Sequence, residues 1–187
     1  MKKVDNLNGK SIEDLHSLFT VDYTCGKLYW KERTPEQFIG SPNPILQCQH
    51  WNSRFANKQA GGVGNFKGKL YRRVNIGGKL CQVGRVFLFI TKGYNMPECV
   101  VDHINGDSLD DSPNNLRYLT KGDNTRHRLN GNNKHGYIGV YEDKGGYRGK
   151  VLVDGKFLRT PKMLTPLLAY EEYLKLKKIH HTITDVG

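Results

Sequence analysis

The residues of this chain whose types could do chemistry together lie between Cys99 and Arg128, in the stretch CVVDHINGDSLDDSPNNLRYLTKGDNTRHR. An aspartate and a histidine stand side by side as Asp102-His103; Asn115 comes twelve positions after His103 and Asn124 nine after that. A neutral histidine near its ordinary pKa can accept a proton from water at pH 7. Carboxylate and amide oxygens suit a hard divalent cation, which keeps several waters and needs few protein ligands. The segment therefore carries the parts of a proton-moving group beside a hard-cation site. Zinc is disfavoured, because Cys25, Cys48, Cys81 and Cys99 show no C-x-x-C pairing. An EF-hand fails too: with Gly106 as loop position 6, position 1 is Val101, where an aspartate is needed.

Local signals say which elements must position these groups. Val100 and Val101 open an apolar strand, and Asn105-Gly106-Asp107 through Ser112-Pro113 is a run of turn formers. Taken alone, such an Asp-Asn-Gly-Asp cluster reads as a surface turn. Leu116-Arg117-Tyr118-Leu119 alternates as a short second strand. Thr120-Lys121-Gly122-Asp123 fits a capping box and predicts a helix start. The order is strand, long loop, strand, helix. Neighbouring side chains on a strand point to opposite faces, so Asp102 and His103 should differ in role.

This frame resembles the HNH nuclease motif, whose ββα-metal fold sets first-strand residues opposite a helix across one divalent ion. The likeness is closest to phage and intron-encoded HNH homing endonucleases. It is carried by Asp102-His103-Ile104-Asn105-Gly106-Asp107, by Asn114-Asn115-Leu116-Arg117, and by Asn124 with Arg126. The resemblance implies that His103 is the general base for phosphodiester hydrolysis. It makes Asp102 and Asn124 the metal ligands, and gives Asn115 a catalytic-site role that is mainly architectural, tying the loop and helping to hold the histidine. The expected ion is Mg2+, with Mn2+ as the substitute, and no zinc. His127, three residues after Asn124, is either an extra ligand or phosphate contact or a solvated helix residue.

Charge points the same way. Lys and Arg number 29 against 18 Asp and Glu, a net +11 that favours a polyanionic partner. Residues 61–100 carry 7 basic and 1 acidic, whereas 101–130 carry 4 and 5. A protein that grips phosphates and also holds a cation would be divided in this way. Mean hydropathy is −0.63, and neither a membrane-length apolar run nor a signal-type h-region is present. Dispersed cysteines fit a reducing compartment. Cytoplasm is the expected location (the host's, if the chain is phage-encoded), with no membrane partner and no small-molecule cofactor.

The flanking segments supply the scaffold. Ser11-Ile12-Glu13-Asp14 is a capping box ahead of a helix to Leu18 or Phe19, and Phe19 to Lys31 reads as a hairpin turning at Thr24-Cys25-Gly26. Thr34 to Asn57, with three prolines and no clear period, reads as a long loop. Tyr71 to Ile76 alternates, Gly77-Gly78 turns, and Lys79 to Val83 returns. Gly84 to Ile90 is a short apolar helix stopped by Gly93. Hairpin and helix also resemble the HNH family, in which a His-Arg pair commonly opens that helix; here the pair is Gly84-Arg85, leaving any phosphate role there to Arg85.

Asn130 to Gly136 has linker composition. Beyond it, 137–141, 147–153 and 156–159 read as strands and 166–180 as an amphipathic helix. This part resembles the AP2-type DNA-binding domain, on Gly139-Val140, Tyr147-Arg148, Gly155-Lys156 and Ala169-Tyr170. That resemblance implies a sheet whose exposed residues contact DNA. The DNA-binding candidates are Arg72, Arg73, Arg85, Arg126, Arg128, Arg148, Lys150, Lys156 and Arg159.

The fold class expected is α+β: a ββα-metal core with an N-terminal hairpin and helix region and a C-terminal three-stranded sheet plus helix. Its parts are an N-terminal adaptor (1–59), a nuclease domain (60–130, core 99–130), a linker (131–136) and an AP2-like domain (137–187). The activity expected is site-specific cleavage of double-stranded DNA by a monomer with one divalent metal. A non-cleaving DNA-binding regulator on the same fold is the alternative.

Overall fold

A computed structural model describes residues 1–66, 68–126, 133–181 and 185–186, the side chain of residue 126 excepted. The chain divides into two compact units, 1–119 with 186–187 and 120–185. Helices and several small antiparallel sheets are interleaved, as α+β requires. Among the described residues, no helix is long and apolar enough to cross a membrane, and no disulfide joins Cys25, Cys48, Cys81 and Cys99.

The first unit begins with α1 (Ile12–Leu18), whose Ser11 and Asp14 form both halves of a capping box. Strands β1 (Phe19–Asp22) and β2 (Lys27–Trp30) pair next, around a turn that Asp22 closes by accepting from Thr24 and Cys25 backbone nitrogens. The expected long loop at 34–57 instead holds a 3-10 turn (Pro35–Phe38) and α2 (Pro44–Phe55). Pro44 occupies the first helical turn, where a missing N–H costs nothing, and the Asn43 side chain caps Leu46 N at 3.0 Å. The proline that looked like a breaker is a start signal. The Arg33 guanidinium lies 3.9 Å from the Trp51 ring centre, so Trp51 is a packing anchor of this segment.

A three-stranded sheet follows, ordered β3 (Gly62–Phe66), β4 (Lys69–Ile76), β5 (Lys79–Gln82). The chain then enters α3 (Val83–Lys92), which ends on Gly93 at φ +78°, the left-handed cap that glycine supplies without strain. Seven of the ten α3 residues are buried, which makes it the spine of the unit. Val83, Val86, Phe89 and Ile90 pack with Leu7, Leu15, Phe19, Leu28, Val74 and Ile76. Phe87 and Leu88 pack instead with Met96, Cys99, Val101, Leu116 and Tyr118. The second cluster is the floor of β6 (Val100–His103) and β7 (Leu116–Leu119), an antiparallel pair.

The second unit opens with α4 (Lys121–Arg126), where Asp123 N donates to Thr120 Oγ1 at 3.0 Å. The expected linker is described from Asn133 onward, and there the Asn133 amide donates to Tyr137 and Val140 carbonyls. The sheet is ordered β10 (Lys156–Arg159), β9 (Tyr147–Val153), β8 (Val140–Glu142). Helix α5 (Pro166–His180) lies across one face, with Ala169 and Tyr173 buried against β9. The contact is tight: a Cβ on Gly149 would sit 2.6 Å from Tyr173 Cβ.

Candidate active site

The β6–β7 register sets Asp102 across from Arg117 and His103 across from Leu116. Both site residues end the same short strand and both are buried, at 6% and 8% exposure. Twelve residues connect the strands, and their own side chains pin them. Asn115 is the main tie: its Oδ1 accepts from Asn105 N at 2.8 Å and its Nδ2 donates to the Asp110 carbonyl at 2.7 Å. Asn105, Asp107 and Asp110 close further side-chain-to-backbone turns within the loop. Ser108 Oγ donates to the Leu70 carbonyl, docking the loop on β4. Asn115 touches Asn105 and Asp110, so its hydrogen bonds are those of a loop tie.

The electrostatics of the pair are set by two partners: Arg117, a motif residue with no role assigned from the sequence, and Asp111. Arg117 Nε donates to Asp102 Oδ2 at 2.9 Å, with both side chains largely buried. His103 Nε2 lies 3.0 Å from Asp111 Oδ1. A hydrogen bond to a charged group contributes about 1.5–3 kcal/mol net, so the contact is strong enough to orient the ring. Burial pushes the Asp111 carboxyl above its ordinary range, while the His103 hydrogen bond and the His103 and Arg72 charges pull the other way. Tyr71 closes the side of the site, its ring centre 6.4 Å from that of His103. Its hydroxyl is pushed up by burial and by the Asp102 charge.

Donor chemistry decides whether a hard cation suits this place. The Asp102 carboxylate stands on the strand end beside His103 and offers oxygen, as Mg2+ requires. Among the described residues, no group of three or more His, Cys, Asp or Glu forms a metal cluster. Asn124, the other expected ligand, is on α4 in the second unit, half-buried, its backbone nitrogen bonded to the Thr120 carbonyl. Asp102, His103 and Asn115 are brought together within the first unit.

The basic candidates separate into several kinds. Arg85 faces inward, against expectation: its guanidinium donates to Asn95 Oδ1, the Met96 carbonyl and the Cys99 carbonyl. It holds the approach to β6 and is spent on that task. Arg72 is half-buried, bonded to the Gly61 carbonyl at 3.0 Å, and Arg73 lies over the Phe66 ring. In the second unit, Arg148 pairs with Asp143 and donates to the Thr160 carbonyl. Lys150 and Arg159 are register partners and exposed. Lys156 pairs with Val153, out of phase with Lys150 and Arg159 along the strands, so it belongs to the other face of the sheet. The Arg126 side chain, His127 and Arg128 lie outside the described residues.

Residues 90–126 match the family model described as HNH endonuclease. The match begins in α3 and takes in β6, the pinned loop, β7 and α4. It supports an HNH nuclease, an enzyme class that hydrolyses DNA phosphodiester bonds and generally uses a divalent metal. No curated protein and no solved structure matches the chain.

Proposed function

We propose that the chain is a site-specific DNA endonuclease of the homing type, acting as a cytoplasmic monomer on double-stranded DNA. The observation that carries the reading is the placement of Asp102 and His103, buried together at the end of β6 within the segment that matches the HNH endonuclease family. His103 takes a proton from the attacking water as the new P–O bond forms and the bond to the 3′ oxygen breaks. Asp102 and Asn124 would hold one divalent ion, Mg2+ foremost. When bound, it neutralises charge on the scissile phosphate and the leaving oxygen. Asn115 keeps the loop that follows His103 in shape.

DNA is gripped by basic side chains outside the acidic core of the motif. Arg72 and Arg73 serve the nuclease domain (60–130), and Arg148, Lys150 and Arg159 serve an AP2-like reader (137–187), whose other sheet face carries Lys156. Arg126 and Arg128 follow from the sequence alone. The second reading, a DNA-binding regulator that does not cut, is favoured by one observation: Arg117 already neutralises Asp102.

Incubating the purified chain with DNA in Mg2+ and in EDTA separates the two. Metal-dependent cleavage is expected. His103→Ala should slow it by about two to four orders of magnitude, the usual worth of a positioned base, with DNA affinity unchanged. Binding without cleavage under any divalent ion would establish the regulator.

A further inference from the structure

We infer that Asp111 is the positioning residue for the His103 ring, and that glycines at 26 and 84 exist to make room for it. The inference rests on the reading of His103 as the general base. An ionised carboxylate can only accept, so the 3.0 Å contact to Asp111 Oδ1 leaves the hydrogen on His103 Nε2. Nδ1 then keeps its lone pair, and ring plane and tautomer are both set before DNA arrives. Both residues are 8% exposed, so water does not compete easily for the contact.

The neighbouring carboxylates cannot take this place. Asp107 is bonded to Leu109 N, and Asp110 to Ser112 N and the Asn105 amide. Asp111 is the one turned inward, and two distant segments accommodate it. Gly26, in the β1–β2 turn at φ +67°, comes so close that a Cβ would sit 1.7 Å from the Asp111 carbonyl oxygen. At Gly84, in the first turn of α3, a Cβ would sit 2.5 Å from Asp111 Oδ1 and 3.4 Å from Leu116 Cδ2. Alanine has the higher helix propensity, so nothing in the helix asks for glycine at 84. Room for the Asp111 carboxylate does. Burial raises the Asp111 carboxyl, and the Arg72 charge on β4 is one of the influences that oppose it.

The test uses the full chain and three variants, Asp111→Ala, Asp111→Asn and Gly84→Ala. Four readouts apply: single-turnover cleavage, DNA affinity, melting temperature, and 15N NMR of which His103 nitrogen carries the hydrogen. Asp111→Ala should slow cleavage about 10- to 100-fold with DNA affinity unchanged, as for other residues that orient a site ligand. It should also move His103 away from the Nε2–H tautomer. Asp111→Asn, which keeps an oxygen acceptor, should lie between it and wild type. Gly84→Ala should lower the melting temperature less than Asp111→Ala does, because helix propensity offsets part of the lost contact, and still slow cleavage at least tenfold, because the carboxylate must turn away. Two results would overturn the inference: an unmoved tautomer in Asp111→Ala, or rate losses that merely follow losses of melting temperature. Should Asp111→Ala not fold, the other two variants carry the same comparison. If the wild type does not cleave at all, the endonuclease reading fails, and the tautomer in free protein still reports whether Asp111 holds His103.

Discussion

Two three-stranded antiparallel sheets, each followed by a helix, do different work in this molecule. In the first unit the strands β3–β4–β5 lead into α3, which is buried along most of its length and feeds two clusters at once. In the second unit β8–β9–β10 leads into α5, which buries Ala169, Tyr173 and Lys177 on one side and leaves Leu167, Leu174 and Ile179 exposed. A helix enclosed by packing fixes the groups around it, and the pinned loop between β6 and β7 inherits that precision. A helix laid on one face leaves the opposite sheet face open, here Tyr141, Arg148, Lys150 and Arg159 by register. On the proposed reading, chemistry belongs to the first arrangement and contact with DNA to the second.

The sharpest way to break that contrast is in the helices themselves. Phe89→Ala removes a fully buried ring from α3 and should cost about 3–5 kcal/mol in urea unfolding, taking cleavage with it. Leu174→Ala, on the outer side of α5 at 41% exposure, should stay within about 0.5 kcal/mol of wild type. Equal losses would mean that α5 is as enclosed as α3.

The open sheet face is tested by charge. Lys150→Glu with Arg159→Glu should weaken DNA binding and flatten its dependence on salt, by about 0.9 in log–log slope for each phosphate that is no longer neutralised. Unfolding should be little changed, since both side chains are exposed. An unaltered salt slope would move DNA binding to the first unit.

The smallest effect lies in the β1–β2 turn that abuts Asp111. Hydrogen bonds from Thr24 and Cys25 hold the Asp22 carboxylate below its ordinary range. A carboxylate whose folded pKa is depressed adds stability above about pH 4, and loses it as pH falls. The melting-temperature gap between wild type and Asp22→Asn should therefore be small at pH 7 and close on acidification. A gap that widens in acid would reverse the assignment.

What the sequence by itself determined is what local rules encode. Capping boxes at Ser11 and Thr120, the Gly77-Gly78 turn, the Gly93 stop and the alternation in 147–159 each name an element without reference to the rest of the chain. Asp102, His103, Asn115 and Asn124 carried a resemblance to the nuclease motif, and the HNH endonuclease family model matches residues 90–126. Helix α2 was legible too, in Asn43-Pro44, had proline been taken as a first-turn residue.

Only the tertiary structure decided the partners. Nothing local separates Asp111 from Asp107 or Asp110; what sets it apart is the close approach of Gly26, 85 positions earlier, to its backbone and of Gly84 to its carboxylate. Arg85 looked like a phosphate ligand until the carbonyls of the 95–99 segment were folded over it. Lys156 looked equivalent to Lys150 until register assigned them opposite faces. Periodicity and caps act within a few residues, whereas burial, hydrogen-bond partners and steric room are set by segments that meet only when the chain has folded.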